Sequence, residues 1–167
     1  MIPEKTKEYQ IKVSTFAFSP SQEGVLTITD NSHLQNTLDK TSIFEIHHAG
    51  NLKGKIRYDW SHNTFEEVEY LYVPETARLF FGGGGSWGVI NLDKFELIRL
   101  ESVMLFWYLA RHGNTIVAVE EISAESSDLY GQTISTIPID PPFETIVFDD
   151  RIEFDCIVHG KQILKLI

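Results

Sequence analysis

The chain has 167 residues, 43% of them hydrophobic and 12% aromatic, so it has enough apolar side chains for a packed core and lacks the composition of a disordered protein. Its single cysteine, Cys156, excludes an internal disulfide and favours a reducing, cytoplasmic environment. The formal net charge of −10 disfavours nucleic acid as a partner, and the sequence shows neither a secretory signal nor an apolar run of ~18 residues that would span a membrane.

Alternation of apolar and polar residues dominates the chain and is typical of half-buried β-strands. In chain order it predicts strands at 9–18, 24–30, 43–48, 54–60, 68–73, 78–82, 87–92, 96–100, 105–110, 115–122, 133–139, 145–150, 152–158 and 163–167. Short turn-forming segments separate several of these strands. The predicted tight turns are Ala49-Gly50-Asn51, His112-Gly113-Asn114, Asp149-Asp150 and His159-Gly160-Lys161.

Helical signals are confined to two segments. Residues 30–40 predict a short helix with Asp30 or Ser32 as N-cap, and residues 123–132 predict one helical turn before Gly131. The predicted fold class is therefore all-β and mainly antiparallel, with sandwich, barrel or propeller-like packing of about a dozen short strands and one or two short helices. Residues 1–167 are expected to form a single domain, with a division near 63–68 as the alternative.

A glycine-rich stretch at 83–88, GGGSWG, has the GxGxxG spacing of dinucleotide-binding loops. Such a loop leads from a strand into a helix whose N-terminus faces the pyrophosphate. Here the following residues alternate like a strand, and no Gly-Lys-Ser/Thr follows, so no phosphate site is predicted. The four glycines at 82–85 predict a flexible β-connection instead, with Gly84 and Trp87 as loop contact residues.

Residues with catalytic or ligating chemistry do not form a known motif. His47 and His48 are adjacent in a predicted strand and therefore point to opposite faces. The chain contains no HExxH, CxxC or GxSxG pattern, and Cys156 lies in an alternating segment that predicts a buried, inert thiol. The sequence thus predicts no metal and no cofactor, and it singles out no catalytic residue.

An acidic window at 120–155 contains ten acidic side chains and one basic one, a net charge of −9. One interpretation is a solvated face that keeps a β-rich protein soluble and discourages edge pairing. The other is a docking surface for a basic protein, because aromatic residues are interleaved with the acids. If Phe148 and Phe154 lie opposite the acids, they belong to the core. The predicted partner-binding residues are Tyr130, Asp140, Phe143, Glu144, Asp149, Asp150 and Glu153.

These features together predict a non-catalytic acidic module that binds a basic protein, with neither nucleic acid nor membrane as partner. Its size and charge are similar to those of immunity proteins that neutralise nuclease toxins, and an inhibitor of a basic active site gains association rate by presenting carboxylates. Two alternatives stay open. The first is a small hydrolase or ligand-binding protein that uses carboxylates in a β-lined cleft, and the second is a structural module of a larger assembly.

Overall fold

Fifteen β-strands form four sheets in the computed structural model, which describes residues 8–19, 25–30, 38–61 and 67–167. The first two sheets come from residues 9–102. Sheet 1 contains β1 (Tyr9–Ala17), β2 (Leu26–Thr29), β3 (Lys40–His48) and β4 (Asn51–Trp60) in the order β1-β3-β4-β2. Sheet 2 contains β5 (Glu69–Val73), β6 (Arg78–Gly83), β7 (Ser86–Asn91) and β8 (Glu96–Ser102) in sequence order.

The other two sheets are, like sheet 2, meanders of consecutive strands. Sheet 3 contains β9 (Phe106–His112), β10 (Thr115–Glu120), β11 (Ser123–Asp128) and β12 (Thr133–Pro138), and sheet 4 contains β13 (Phe143–Val147), β14 (Arg151–Cys156) and β15 (Gly160–Lys165). Every strand pair is antiparallel except β2 with β4. The predicted all-β, mainly antiparallel class is therefore confirmed. The turns between β3 and β4, β9 and β10, and β13 and β14 lie where the sequence predicts them, whereas the turn between β14 and β15 lies at 157–159, two residues before the predicted 159–161.

The two predicted helices have different outcomes. Residues 31–37 of the first lie outside the described residues, and β3 begins at Lys40. The helical turn predicted within 123–132 is wrong, because Ser123–Asp128 forms β11 between β10 and β12. Its residues Glu125, Ser126 and Ser127 are buried although they are polar, so the strand lacks the alternation that would have revealed it. In the described part of the chain, no helix is long and apolar enough to cross a bilayer.

Consecutive sheets pack on one another through separate apolar clusters. Phe44 and Tyr58 of sheet 1 meet Leu79 and Phe81 of sheet 2 in one cluster. A second cluster joins sheet 2 to sheet 3 through Phe80, Trp87, Phe106 and Ile116, and a third joins sheet 3 to sheet 4 through Val117, Val119, Ile152 and Phe154. Of the three packings that the sequence leaves open, this succession of small sheets corresponds to the propeller-like one.

Sheets 2 and 3 are covered on both faces, which explains their burial. In β6, Leu79 and Phe81 pack towards sheet 1, whereas Phe80 between them packs towards sheet 3. Sheet 4 is different, because β14 and β15 alternate between buried and accessible residues as one-sided sheets do, and most of β13 is exposed. Sheet 4 therefore has an accessible face.

Candidate functional site

The two faces of sheet 4 are distinguished by the alternation of β14. Ile152, Phe154 and Cys156 point into the cluster shared with sheet 3. Phe154 is therefore core, and the prediction of a buried Cys156 thiol is confirmed. The intervening residues of β14 point outward, opposite Ile146 of β13 and Ile163 of β15. The outward face thus combines charged side chains with large apolar ones.

Exposed apolar residues are concentrated on this sheet and its turns. Ile146 is 57% exposed, and Ile157 and Val158, in the turn between β14 and β15, are 74% and 78% exposed. Clustered apolar exposure on a folded protein is typical of interaction sites. We give the name sheet 4 surface to nine exposed apolar and acidic residues of this region, namely Glu144, Ile146, Phe148, Asp149, Asp150, Asp155, Ile157, Val158 and Ile163.

The turn between β13 and β14 forms one end of the sheet 4 surface. Asp149 and Asp150 are exposed at its tip, and the Arg151 guanidinium lies 4.0 Å from the centre of the Phe148 ring. Arg151 also donates hydrogen bonds to Asp150 Oδ1 at 3.0 Å and to Glu153 Oε1 at 2.9 Å. The aromatic ring is thereby held beside the two aspartates, and a cavity of about 330 Å³ opens between this turn and the one that joins β9 to β10.

Glu153, which the sequence predicts as a partner contact, is bound by two cations of its own sheet. Its carboxylate accepts hydrogen bonds from Lys161 Nζ and Arg151 Nε, each at 2.9 Å, and its side chain is only 12% exposed. The hydrogen bonds from Lys161 and, second, from Arg151 lower the pKa of Glu153. Glu153 therefore holds β14 and β15 together, and its charge is already balanced within the protein.

Other acids of the window are used to hold the backbone. Asp128 Oδ1 accepts hydrogen bonds from the backbone N–H groups of Tyr130 at 2.9 Å and Gln132 at 2.8 Å, which closes the turn between β11 and β12. Asp140 binds the backbone N–H groups of Val158 at 2.9 Å and His159 at 3.0 Å. Asp140 thus positions the turn between β14 and β15, and its role as a partner contact stays a prediction.

The predicted aromatic anchors lie in different surroundings. Phe143 stacks on Trp107 of β9 with 5.5 Å between ring centres and also contacts Phe154, so most of its ring belongs to the interface between sheets 3 and 4. Tyr130 is 56% exposed, with the Arg78 guanidinium 5.7 Å from its ring centre. Tyr130 is therefore available for a contact, whereas Phe143 presents only an edge.

The predicted residues do not form one contiguous patch. Thr115 pairs with both His112 and Asp128, which places the β9–β10 and β11–β12 turns at one end of sheet 3. Thr115 also exchanges hydrogen bonds with Ile167, and Leu166 donates to the Asp150 carbonyl. Tyr130 and the Asp149-Asp150 turn therefore share this end. The segment that holds Asp140, Phe143 and Glu144 lies at the opposite end of sheet 4, because Phe143 pairs with Cys156.

The glycine-rich segment forms a tight hairpin between β6 and β7, in which Gly83 pairs with Ser86. The predicted β-connection is therefore present, but the prediction of Gly84 and Trp87 as loop contacts is wrong. Both residues are buried, with Trp87 only 1% exposed, because sheets 1 and 3 cover the two faces of sheet 2. Gly84 has φ +60°, and the Gly85 N–H donates to Asp30 Oδ2 at 3.0 Å.

A second group of carboxylates surrounds Arg99 between sheets 2 and 3. Arg99 donates to Glu101 Oε1 at 2.6 Å and to Glu125 Oε2 at 2.7 Å, and its guanidinium lies 4.7 Å from the Trp87 ring centre. Burial, and to a smaller extent the charges of Glu125 and Glu101, raise the pKa of nearby Glu120, whereas a hydrogen bond with Ser123 opposes this shift. Glu101 and Glu125 neutralise Arg99, so this group of side chains joins sheet 2 to sheet 3.

Metal-ligating residues are not assembled within the described ranges 8–19, 25–30, 38–61 and 67–167, where no group of three or more His, Cys, Asp or Glu side chains could hold an ion. His48 is exposed and lies 5.4 Å from the Tyr9 ring centre, whereas His47 lies 3.7 Å from a Glu45 oxygen. Each of these histidines therefore has its own neighbours on its own side of the strand.

Comparison with known proteins gives distant structural matches. No family model and no curated protein matches the chain. Among solved structures, the WD40 domain of Neurospora crassa Pan2 is 14% identical, with 68% of this chain and 38% of that chain covered and a TM-score of 0.39. Hsv2 from Kluyvelomyces marxianus is 13% identical, with 72% and 46% covered and a TM-score of 0.37. BamB from Moraxella catarrhalis is 11% identical, with 68% and 37% covered and a TM-score of 0.38. The matched part thus spans less than half of each of these chains.

Proposed function

We propose that this protein is a non-catalytic binding module whose sheet 4 surface binds a basic protein. The observation that carries the proposal is the concentration of exposed apolar side chains on one sheet, with Ile146, Ile157 and Val158 each more than half exposed. Burying such side chains against a partner removes about 25 cal/mol of unfavourable free energy per Å² of apolar surface. A protein surface is the natural counterpart, because interfaces combine an apolar centre with a polar rim.

The charges around these apolar residues favour a basic partner. Four acids of the sheet 4 surface are exposed, namely Glu144, Asp149, Asp150 and Asp155. Of the three cations on the same face, Arg151 and Lys161 are bound to Glu153 at 2.9 Å, and Lys165 is exposed opposite Arg151, so the acids outnumber the cations. Exposed carboxylates accelerate the approach of a positively charged protein and discriminate against acidic ones. Basic nuclease toxins belong to this class of partner because they bind phosphates.

We expect the exposed aspartates to act mainly on the rate of association. The partner is first identified by affinity capture, and its binding is then measured by stopped-flow fluorescence with purified proteins. Replacing Asp149 and Asp150 together by asparagine is expected to slow association several-fold at low salt. The difference should shrink towards 0.15 M salt, because screening shortens the reach of exposed charges to about 8 Å.

A matched control separates this local effect from the loss of net charge. The control variant is Glu67→Gln/Glu96→Gln. It removes one exposed carboxylate just before sheet 2 and one within that sheet, and it leaves sheet 4 intact. The control should associate at nearly the wild-type rate. Equal rates for the wild type and for the folded Asp149→Asn/Asp150→Asn variant at low salt would refute the proposed role of these carboxylates.

A further inference from the structure

An apolar groove lies at the end of sheet 4 opposite the Asp149-Asp150 turn. Its cavity of about 440 Å³ is lined by Pro142, Phe143, Glu144, Asp155, Cys156 and Ile157. Phe143 is fixed by its stacking on Trp107, and both Phe143 and Cys156 belong to the apolar cluster between sheets 3 and 4. These two residues therefore form the inner side of the groove, Pro142 and Ile157 add exposed apolar surface, and Glu144 and Asp155 supply the charge on the outward side.

The two carboxylates of the groove face each other across neighbouring strands. Glu144 of β13 is the register partner of Asp155 of β14, and both residues are exposed. Like charges directly opposite in an antiparallel pair destabilise the sheet. Lys161 is the partner of Asp155 on β15, but its ammonium is bound to Glu153 at 2.9 Å. The groove thus retains an excess of negative charge that a cationic group would neutralise.

The turn beside the groove is held in a fixed conformation. Asp140 accepts hydrogen bonds from the N–H groups of Val158 and His159, and Gln162 Nε2 donates to the His159 carbonyl at 2.7 Å. Ile157 and Val158 are the two most exposed of the large apolar residues in the described ranges. A contact made by a rigid turn has a smaller entropic cost than one made by a mobile loop.

We propose that this groove receives an arginine side chain of the basic protein partner. This inference rests on the proposed function and specifies the chemistry that the partner presents. The aliphatic part of the arginine would pack on Ile157 and Pro142, and its guanidinium would donate to Glu144 and Asp155 together. Arginine fits better than lysine, because its planar guanidinium offers five donors and bridges two carboxylates, whereas an ammonium is a compact, more strongly hydrated charge.

The test uses the full chain and a defined probe, acetyl-arginine methylamide, in an NMR titration of ¹⁵N-labelled protein. Saturable shifts are expected for the amides of residues 143–145 and 155–159. Acetyl-norleucine methylamide should cause no such shifts, and the lysine analogue should bind more weakly. The Glu144→Gln/Asp155→Asn variant should bind the arginine probe at least about tenfold more weakly than the wild type. It should fold normally because the change removes a repulsion.

The Asp149→Asn/Asp150→Asn variant is the matched control, since it removes the same charge from the other end of the sheet. It should bind the arginine probe like the wild type. Equal probe affinity in the Glu144→Gln/Asp155→Asn variant, or shifts confined to other residues, would overturn the groove assignment. A partner that slows amide hydrogen exchange in sheet 4 but binds the wild type and that variant equally well would also overturn the groove assignment. The proposed function would then still stand. Saturable arginine binding together with a partner that contacts another sheet would overturn the proposed function instead.

Discussion

Gly84→Ala is expected to lower the free energy of unfolding by about 3 kcal/mol or more, because two costs add at this position. The residue has φ +60°, and a side chain in that conformation costs about 1–2 kcal/mol. An added Cβ would also collide with the Ser61 carbonyl oxygen and lie 3.1 Å from Asp30 Oδ2. Overpacking of a buried site costs a further 1–3 kcal/mol or so. Urea denaturation measures the sum.

Gly113→Ala is the matched control for this prediction. Gly113 has nearly the same φ, +58°, in the turn between β9 and β10, but an added Cβ there meets no atom within 4 Å. It should therefore show the conformational cost alone, about 1–2 kcal/mol. If Gly84→Ala were no more destabilising than Gly113→Ala, the close packing of the β6–β7 hairpin against Ser61 would be incorrect.

Asp59→Ala is expected to destabilise the protein by about 3–5 kcal/mol, as is typical when one partner of a buried ion pair is removed. Asp59 and Arg57 are 4% and 3% exposed. Arg57 Nε lies 2.8 Å and 2.9 Å from the two carboxylate oxygens, and Thr41 Oγ1 donates to Oδ1 at 2.7 Å. Removing the carboxylate takes an ion-pair partner away from a buried guanidinium and the acceptor away from the buried Thr41 hydroxyl.

The comparison for Asp59 is an accessible ion pair that joins β4 to the neighbouring strand β3. Lys55 Nζ lies 2.6 Å from Glu45 Oε1, with about a third or more of each side chain exposed. Such pairs contribute about 0–1 kcal/mol, so Glu45→Ala should have a small effect in the same denaturation experiment. Similar losses for Asp59→Ala and Glu45→Ala would contradict the burial of the Arg57–Asp59 pair.

The sequence predicts strands well where one face of a sheet is open. Residues 152–156 alternate between core and surface, and the structure has the same alternation in β14. The prediction fails for β11, because Glu125 is buried by a bond to Arg99, which lies on another sheet. It also fails for the exposure of Trp87, since only the packing of sheets 1 and 3 on sheet 2 shows that both faces are covered.

The acidic window was visible from charge alone, but the role of each acid was not. Glu153 and Asp140 are bound by Lys161, Arg151 and backbone N–H groups, and these partners follow from strand pairing and turn geometry. Ile157 and Val158 were missed because they continue the apolar pattern of a predicted strand at 152–158. The turn actually begins at Ile157, which moves both side chains from the core to the surface.

The most direct test of the sheet 4 surface as the binding site is amide hydrogen exchange of the protein alone and in complex with its purified basic partner. Binding at this surface predicts slower exchange in the complex for β13–β15 and for the turns at 149–150 and 157–159, with β3 and β4 of sheet 1 unchanged. Protection confined to sheets 1 and 2, with sheet 4 exchanging as in the free protein, would contradict it.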